Sequence, residues 1–411
     1  MTIGVGGSTP AQEFAKMADR TGGVTLIDND DRAARIAAAQ ALMRETGIDA
    51  LYLDTSVNLT YFTGISLKLT ERLHGALIPA EGPIVYLSPA FEEPKTHSML
   101  KIPGEIRCWE EHEDPAHLVA DSLEAMGYAK GTVAIDPHAP FFNVDGLRKH
   151  ANRYDLVNGA QITGALRSVK TPREIALMQR SNDIALEVHK AAARILHAGI
   201  TTPEVEEFIL EAFRRLGGKV PPSGRPIVLF GEATAYPHGV DYPQTLVEGD
   251  MVLIDIGCFV GDYRSDMTRS YVFGTPSDRQ REVWELELAA QAAGFAAALP
   301  GNPCEAVDKS ARSLIEAAPG FESDYKTPGL PHRTGHGIGL EVHEESFIVR
   351  GNNRPLETGM CFSIEPMICI YGAFGIRLED CAYIAEDGPR WFTKPCHSID
   401  DPFGYEVMAE A

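Results

Sequence analysis

No Cys-x-x-Cys pair occurs in the 411-residue chain, and its cysteines number seven, an odd count. Several sit inside apolar runs, where a reduced cysteine is a small hydrophobe. This argues against a disulfide framework and for a reducing cytoplasm. No apolar run approaches the ~20 residues that span a bilayer, so no membrane segment is expected. Met1 to Gly23 has no apolar stretch behind a basic start and does not read as a secretory signal. Positive charge is scarce: 37 Lys and Arg stand against 58 Asp and Glu, for a net charge of −21. Such a chain repels phosphate backbones, which argues against nucleic acid as a partner. Short-period repeats and low-complexity segments are absent too.

What is there reads as globular. The hydrophobic fraction is 44% and the charged fraction 23%, both ordinary. The length exceeds what one core usually serves, so two domains are expected. Residues 1–25, with their Gly and Ser, read as a loose N-terminal arm. A helical stripe from Asp31 to a stop at Gly47 then precedes a strand at Ile48–Leu53. Ala80-Glu81-Gly82-Pro83 is a turn between strands Ala76–Pro79 and Ile84–Leu87. A helix at Pro115–Met126, a strand at Thr132–Ile135 and a helix at Leu147–Tyr154 complete an α/β domain over residues 26–165.

The segment Leu166–Pro172 is the boundary to a second domain, residues 166–411. Thr171-Pro172-Arg173-Glu174 is a helix start, with Thr171 as cap and Glu174 three residues on. Thr202-Pro203-Glu204 repeats that grammar and runs to Gly217. After Pro221-Pro222 the texture changes to strands: Pro226–Phe230, Met251–Val260 and Tyr263–Phe273. Helices follow at Asp278–Leu299 and Cys304–Ala317, then strands at Met360–Ile370 and Phe374–Ile384.

Between them lies Gly335-His336-Gly-Ile-Gly-Leu-Glu-Val-His343-Glu-Glu, with His332 four residues before His336. Histidine ligates divalent metals and moves protons near neutral pH, and glycines beside it suit close backbone approach. Four carboxylates lie inside apolar strands: Asp255, Asp266, Glu365 and Glu379. Buried carboxylates need a partner or a metal. Gly261-Asp262 suits a two-residue turn, which sets Asp255 opposite Thr268 and puts Asp266 on the same face. Centring the Tyr371–Gly375 loop on Ala373 sets Glu365 opposite Cys381, again two residues from its partner carboxylate. Four clustered carboxylates repel, and two divalent cations would balance them. With His336 they make five mostly oxygen donors, suited to two hard or borderline metals.

These residues resemble an M24-type metallopeptidase family, which includes Xaa-Pro dipeptidase (prolidase), aminopeptidase P, methionine aminopeptidase and creatinase. The matching motifs are Asp255-Ile-Gly, Asp266-Met-Thr-Arg, Thr334-Gly-His336-Gly-Ile-Gly, Val342-His343-Glu344, Ser363-Ile-Glu365-Pro and Arg377-Leu-Glu379-Asp380. His238 stands 17 residues before Asp255, where the family has another histidine. The resemblance implies an α+β chain: a C-terminal pita-bread domain (the creatinase/aminopeptidase fold) preceded by a creatinase-type α/β domain. It implies Asp255 as terminal ligand of one metal, Asp266 and Glu379 as bridges, and His336 and Glu365 on the other metal. A metal-bridging hydroxide would be the nucleophile and Glu365 the proton shuttle. His343 and His238 would face the scissile carbonyl. His332 and Arg377 read as substrate-binding, with Arg377 either holding a substrate carboxylate or pairing with Asp380. The implied metal is manganese first, with cobalt, zinc or iron open. The implied reaction is hydrolysis before proline, in dipeptides first. Alternatives are an aminopeptidase P on longer peptides, or a non-peptidase relative such as dimethylsulfoniopropionate lyase, ectoine hydrolase or creatinase. The partner is a small peptide, and a homodimer is expected.

Overall fold

The computed structural model describes residues 2–220 and 224–405. The Pro221-Pro222 break lies outside the described residues. The chain divides into two compact units. One is Ile27–Arg167, and the other joins the residues up to Leu26 with those from Ser168 onward.

The chain starts with a short helix, α1 (Pro10–Phe14), which belongs to the larger unit. The smaller unit follows with α2 (Asn29–Thr46), β1 (Ala50–Leu53), α3 (Val57–Thr63), β2 (Gly75–Pro79), β3 (Val85–Pro89), α4 (Glu93–Met99), β4 (Glu105–Trp109), α5 (Pro115–Ala125), β5 (Gly131–Ile135), α6 (Phe141–His150), β6 (Tyr154–Asn158) and α7 (Ala160–Ser168). Its six strands form one sheet in the order β4-β3-β2-β1-β5-β6. The strands β1, β5 and β6 run parallel, as βαβ crossovers require. Helix α6 starts after Pro140 and ends on Arg148-Lys149-His150, so the helix read at Leu147–Tyr154 sits too late. Tyr154 instead opens an edge strand.

The larger unit continues with α8 (Pro172–Ile195), α9 (Thr202–Leu216), β7 (Ile227–Phe230), β8 (Met251–Ile256), β9 (Phe259–Val260), β10 (Tyr263–Arg264), β11 (Met267–Val272), α10 (Asp278–Ala297), α11 (Cys304–Ala317), β12 (Gly335–Gly337), β13 (Glu344–Ile348), β14 (Cys361–Ile364), β15 (Met367–Ile370), β16 (Phe374–Arg377), β17 (Asp380–Ala385) and β18 (Gly388–Trp391). The first opening helix carries the capping box read from its sequence, Thr171 with Glu174; in the second the box is Thr201 with Glu204, so the cap lies one residue before the Thr202 read in that place. The long strands expected at Met251–Val260 and Tyr263–Phe273 are each broken into two. Sheets β11-β8-β7 and β13-β12-β14-β17-β18 meet at the bridge between Thr268 and Glu379. Behind them Trp284 of α10 is fully buried and donates its indole N–H to the Ser270 carbonyl at 2.8 Å. Leu253, Val283, Ile368, Ile376 and Leu378 pack into the same core.

The first residues, expected as a loose arm, are docked on this unit. Thr2 Oγ1 donates to the Val272 carbonyl at 2.8 Å, and Ile3 N–H donates to the Asp400 carbonyl at 2.7 Å. Glu13 is buried and accepts from Arg194 Nη2 at 2.7 Å.

Candidate active site

Between β9 and β10, Gly261 and Asp262 both take positive φ, 56° and 71°. Two such residues are what a type I′ hairpin turn needs. The resulting register sets Asp255 opposite Thr268, as the two-residue turn predicts. The second register differs from expectation. Ile364 faces Asp380 and Met367 faces Arg377, which brings Glu365 level with Glu379 rather than Cys381. Cys381 faces Ser363 instead. The turn is the three residues Tyr371 to Ala373, with Gly372 at a φ of 80°. Gly375, read as part of the loop, is glycine for another reason: a Cβ there would collide with the Thr234 carbonyl oxygen.

His336 lies on β12, where its backbone N–H donates to Ser363 Oγ at 3.1 Å. Its Nδ1, 3.1 Å from the Gly337 carbonyl, serves as the donor, which turns Nε2 toward the acids. Nε2 is 3.0 Å from Glu365 Oε1 and 3.6 Å from Asp266 Oδ2. Asp266, His336 and Glu379 each offer one ligand atom within 4.8 Å of the others. The buried Glu379 Oε1 has no hydrogen-bond partner among the described residues. Its Oε2 accepts from Thr268 Oγ1 at 2.6 Å. Asp255 stands beside this group, and its Oδ2 is held by Arg377 Nη2 at 2.6 Å.

The electrostatics are those of crowded acids. Burial, then the charge of Asp255, raises the Asp266 carboxyl well above the usual range. Burial, then Asp266 and Glu365, does the same to Glu379. Burial also opposes the charge on Glu365, but His336 and Arg377 hold its carboxyl below the ordinary range. The His336 imidazole is raised despite burial, because Glu365 and Asp266 face it. A set of oxygens and one imidazole nitrogen, self-repelling and with an orphaned buried oxygen, fits hard or borderline divalent cations.

A cavity of about 540 Å³ opens onto the group, and His238, His332, His343 and Arg377 also line it. The His343 ring stands edge-on to His336, with centroids 4.3 Å apart. Burial, then His336, lowers its imidazole to about 4, so it is neutral at pH 7. His332 Nδ1 lies 2.7 Å from the Arg333 carbonyl and donates to it, which leaves the buried Nε2 as an acceptor without a partner among the described residues. Burial lowers this imidazole too.

Arg377 does not pair with Asp380. Its Nε donates to Thr268 Oγ1 at 3.0 Å, Nη1 to the Pro237 carbonyl at 3.0 Å and Nη2 to Asp255. Asp380 takes Arg269 Nη2 at 2.6 Å, with Gln291 and Thr393 as further donors. Sequence reasoning missed Thr268 and Arg269, although both stand in the Asp-Met-Thr-Arg motif. It also missed Arg264 and Arg333 on the cavity wall. Among the described residues Arg333 makes no ion pair; it stacks on Phe347 at 4.3 Å.

Residues 176–386 match metallopeptidase family M24, and residues 35–169 match the creatinase/prolidase N-terminal domain. A Xaa-Pro dipeptidase of Lactobacillus helveticus is 33% identical over 86% of this chain and 95% of its own. The crystal structure of dipeptidase PepE from Mycobacterium ulcerans is similar at a TM-score of 0.83 and 32% identity, covering 91% of this chain and 98% of that one. A prolidase from Thermococcus sibiricus matches at 0.80 and 28%, over 89% and 97%.

Proposed function

The chain belongs to metallopeptidase family M24, and on that premise we propose a dinuclear metal-dependent hydrolase that cuts the peptide bond before proline, first of all in Xaa-Pro dipeptides. The observation that carries the reading is that Asp255, Asp266, His336 and Glu365 line one cavity, with the buried Glu379 offering an oxygen within 4.8 Å of Asp266 and His336 behind them.

In this reading Asp255, Asp266, His336, Glu365 and Glu379 would together hold two divalent ions. Bound divalent ions supply an acidified water at neutral pH and polarise the scissile carbonyl. Glu365 would take a proton from the attacking water and deliver it to the departing proline nitrogen. His343, neutral at pH 7, and His238 donate hydrogen bonds to the carbonyl oxygen as charge develops on it. His332 Nε2 accepts from the substrate. Arg377 acts by aiming Asp255, and the stacked Arg333 is the cavity cation placed for a substrate carboxylate.

Four carboxylates and one imidazole favour manganese, with cobalt, zinc or iron next. The seven free cysteines suit the cytoplasm. A homodimer completes the reading, and sedimentation velocity tests it. The decisive assay follows Ala-Pro and Ala-Pro-Ala after chelation and Mn²⁺ re-addition. Metal-restored cleavage of the dipeptide is expected. Cleavage of the tripeptide alone would make the chain an aminopeptidase. Cleavage of neither, with metal bound, would refute the peptidase reading.

A further inference from the structure

The few residues that open the larger unit, Val169 to Glu174, reach three separate pieces of the site. Val169 bridges to Met360, and Lys170 N–H donates to the Gly359 carbonyl at 2.8 Å, just before the strand that leads into Glu365. Lys170 Nζ lies 3.2 Å from Glu344 Oε2, with both side chains buried. Glu344 directly follows His343, and its Oε1 accepts the Glu341 N–H at 3.0 Å, closing the turn that carries that histidine. Gly339 lies so close that a Cβ there would sit 2.8 Å from both Glu344 Oε2 and Lys170 Cε. At the other end, Glu174 caps α8 through the Thr171 N–H at 2.7 Å and accepts the Tyr263 hydroxyl proton at 2.5 Å. Tyr263 lies on the hairpin between Asp255 and Asp266. The next residue, Arg264, donates its N–H to the Gly339 carbonyl at 2.8 Å and Nε to the Leu340 carbonyl at 2.9 Å, tying hairpin to turn.

A buried ammonium opposite a buried carboxylate is no general stability device, because desolvation offsets the attraction. Its specific effect is geometric: it permits one arrangement of the groups it joins. We propose that Lys170 is a positioning residue for the hydrolysis, which through Glu344 holds the 338–344 turn, and so the His343 imidazole, against the hairpin that Glu174 anchors through Tyr263. This rests on the reading of His343 as a donor to the scissile carbonyl.

Lys170→Met alone takes the ammonium from a buried carboxylate, and a folding defect would mask the effect. The test therefore uses the Lys170→Met/Glu344→Gln double variant, which removes both charges and keeps an acceptor for the Glu341 N–H. Amide hydrogen exchange on the full-length metal-free protein is the first readout. Residues 338–344 should exchange at least about tenfold faster, with α10 unchanged. Steady-state hydrolysis of Ala-Pro with Mn²⁺ is the second. The turnover number kcat should fall about 10–100-fold while KM stays within about threefold, the signature of lost transition-state alignment. Unchanged exchange over 338–344, or kcat within about twofold of the parent, would overturn the proposal. If the parent cuts no proline peptide, the peptidase reading fails, and the exchange measurement alone decides whether Lys170 holds the turn.

Discussion

Arg377 Nη2 lies 2.6 Å from Asp255 Oδ2, while Nε of the same guanidinium lies 3.0 Å from Thr268 Oγ1. One planar fork thus orients an acid directly and a second acid, Glu379, through a hydroxyl. Lysine keeps the charge but cannot span both partners. Arg377→Lys should lower kcat and metal affinity by about 10–100-fold each, as changes behind a metal ligand do. Kinetics and titration of bound metal check this.

Thr268→Val removes one hydroxyl and leaves a buried Arg377 N–H and Glu379 oxygen short of a partner. The expected loss is about 1–3 kcal/mol of stability, with reduced activity. Denaturant unfolding of both proteins measures it. An unchanged variant would mean that water replaces the hydroxyl.

Glu365→Gln keeps the shape but not the base. The turnover number should fall by about 10²–10⁴. Substrate binding, followed by equilibrium dialysis, should persist.

Chelation should abolish hydrolysis and lower the melting temperature, because the clustered carboxylates then repel without compensation. Mn²⁺ at about 100 times its dissociation constant should return about 2.7 kcal/mol per independent site. Calorimetry at several metal concentrations tests this.

Away from the site, Glu13 is buried against Arg194, Lys16 and Ser8. Burial opposes its charge, but these partners lower its carboxyl from 4.5 to about 2. A depressed native value stabilises the fold fully above pH 4.5, and the contribution fades as pH falls toward 2. Glu13→Gln should therefore cost about 1–3 kcal/mol at pH 7 and little at pH 2. Urea unfolding at the two values decides it.

Sequence reasoning located the aspartate pair because Gly261-Asp262 allows a single tight turn, and that turn sets every pairing around it. The glutamate pair was misjudged by two residues because Gly375 looks like a turn residue. Its missing side chain instead admits the Thr234 carbonyl, a neighbour no local pattern reveals. The Arg377–Asp380 pairing was open to a local objection. Residues three apart along an extended chain point to opposite faces, and Asp380 finds Arg269 from β11. The cavity arginines Arg264 and Arg333 carried no periodic signal, since only the fold turns them toward the same space. The stripes of α8 and α9 and the capping box of α8 were legible because they are local in origin, and the cap of α9 was missed by one residue because two threonines stand side by side at Thr201-Thr202.

The donor residues sit on or directly beside paired strands, whereas much of the cavity wall, including Val220, Pro331 and Tyr371, lies on connecting segments. Loops accept substitution and length change far more readily than paired strands do. Preference among substrates can therefore drift, by mutation of the wall, while the bond-breaking apparatus beneath stays as it is. A library confined to those connecting segments should shift the favoured residue before the cleaved bond without loss of bound metal.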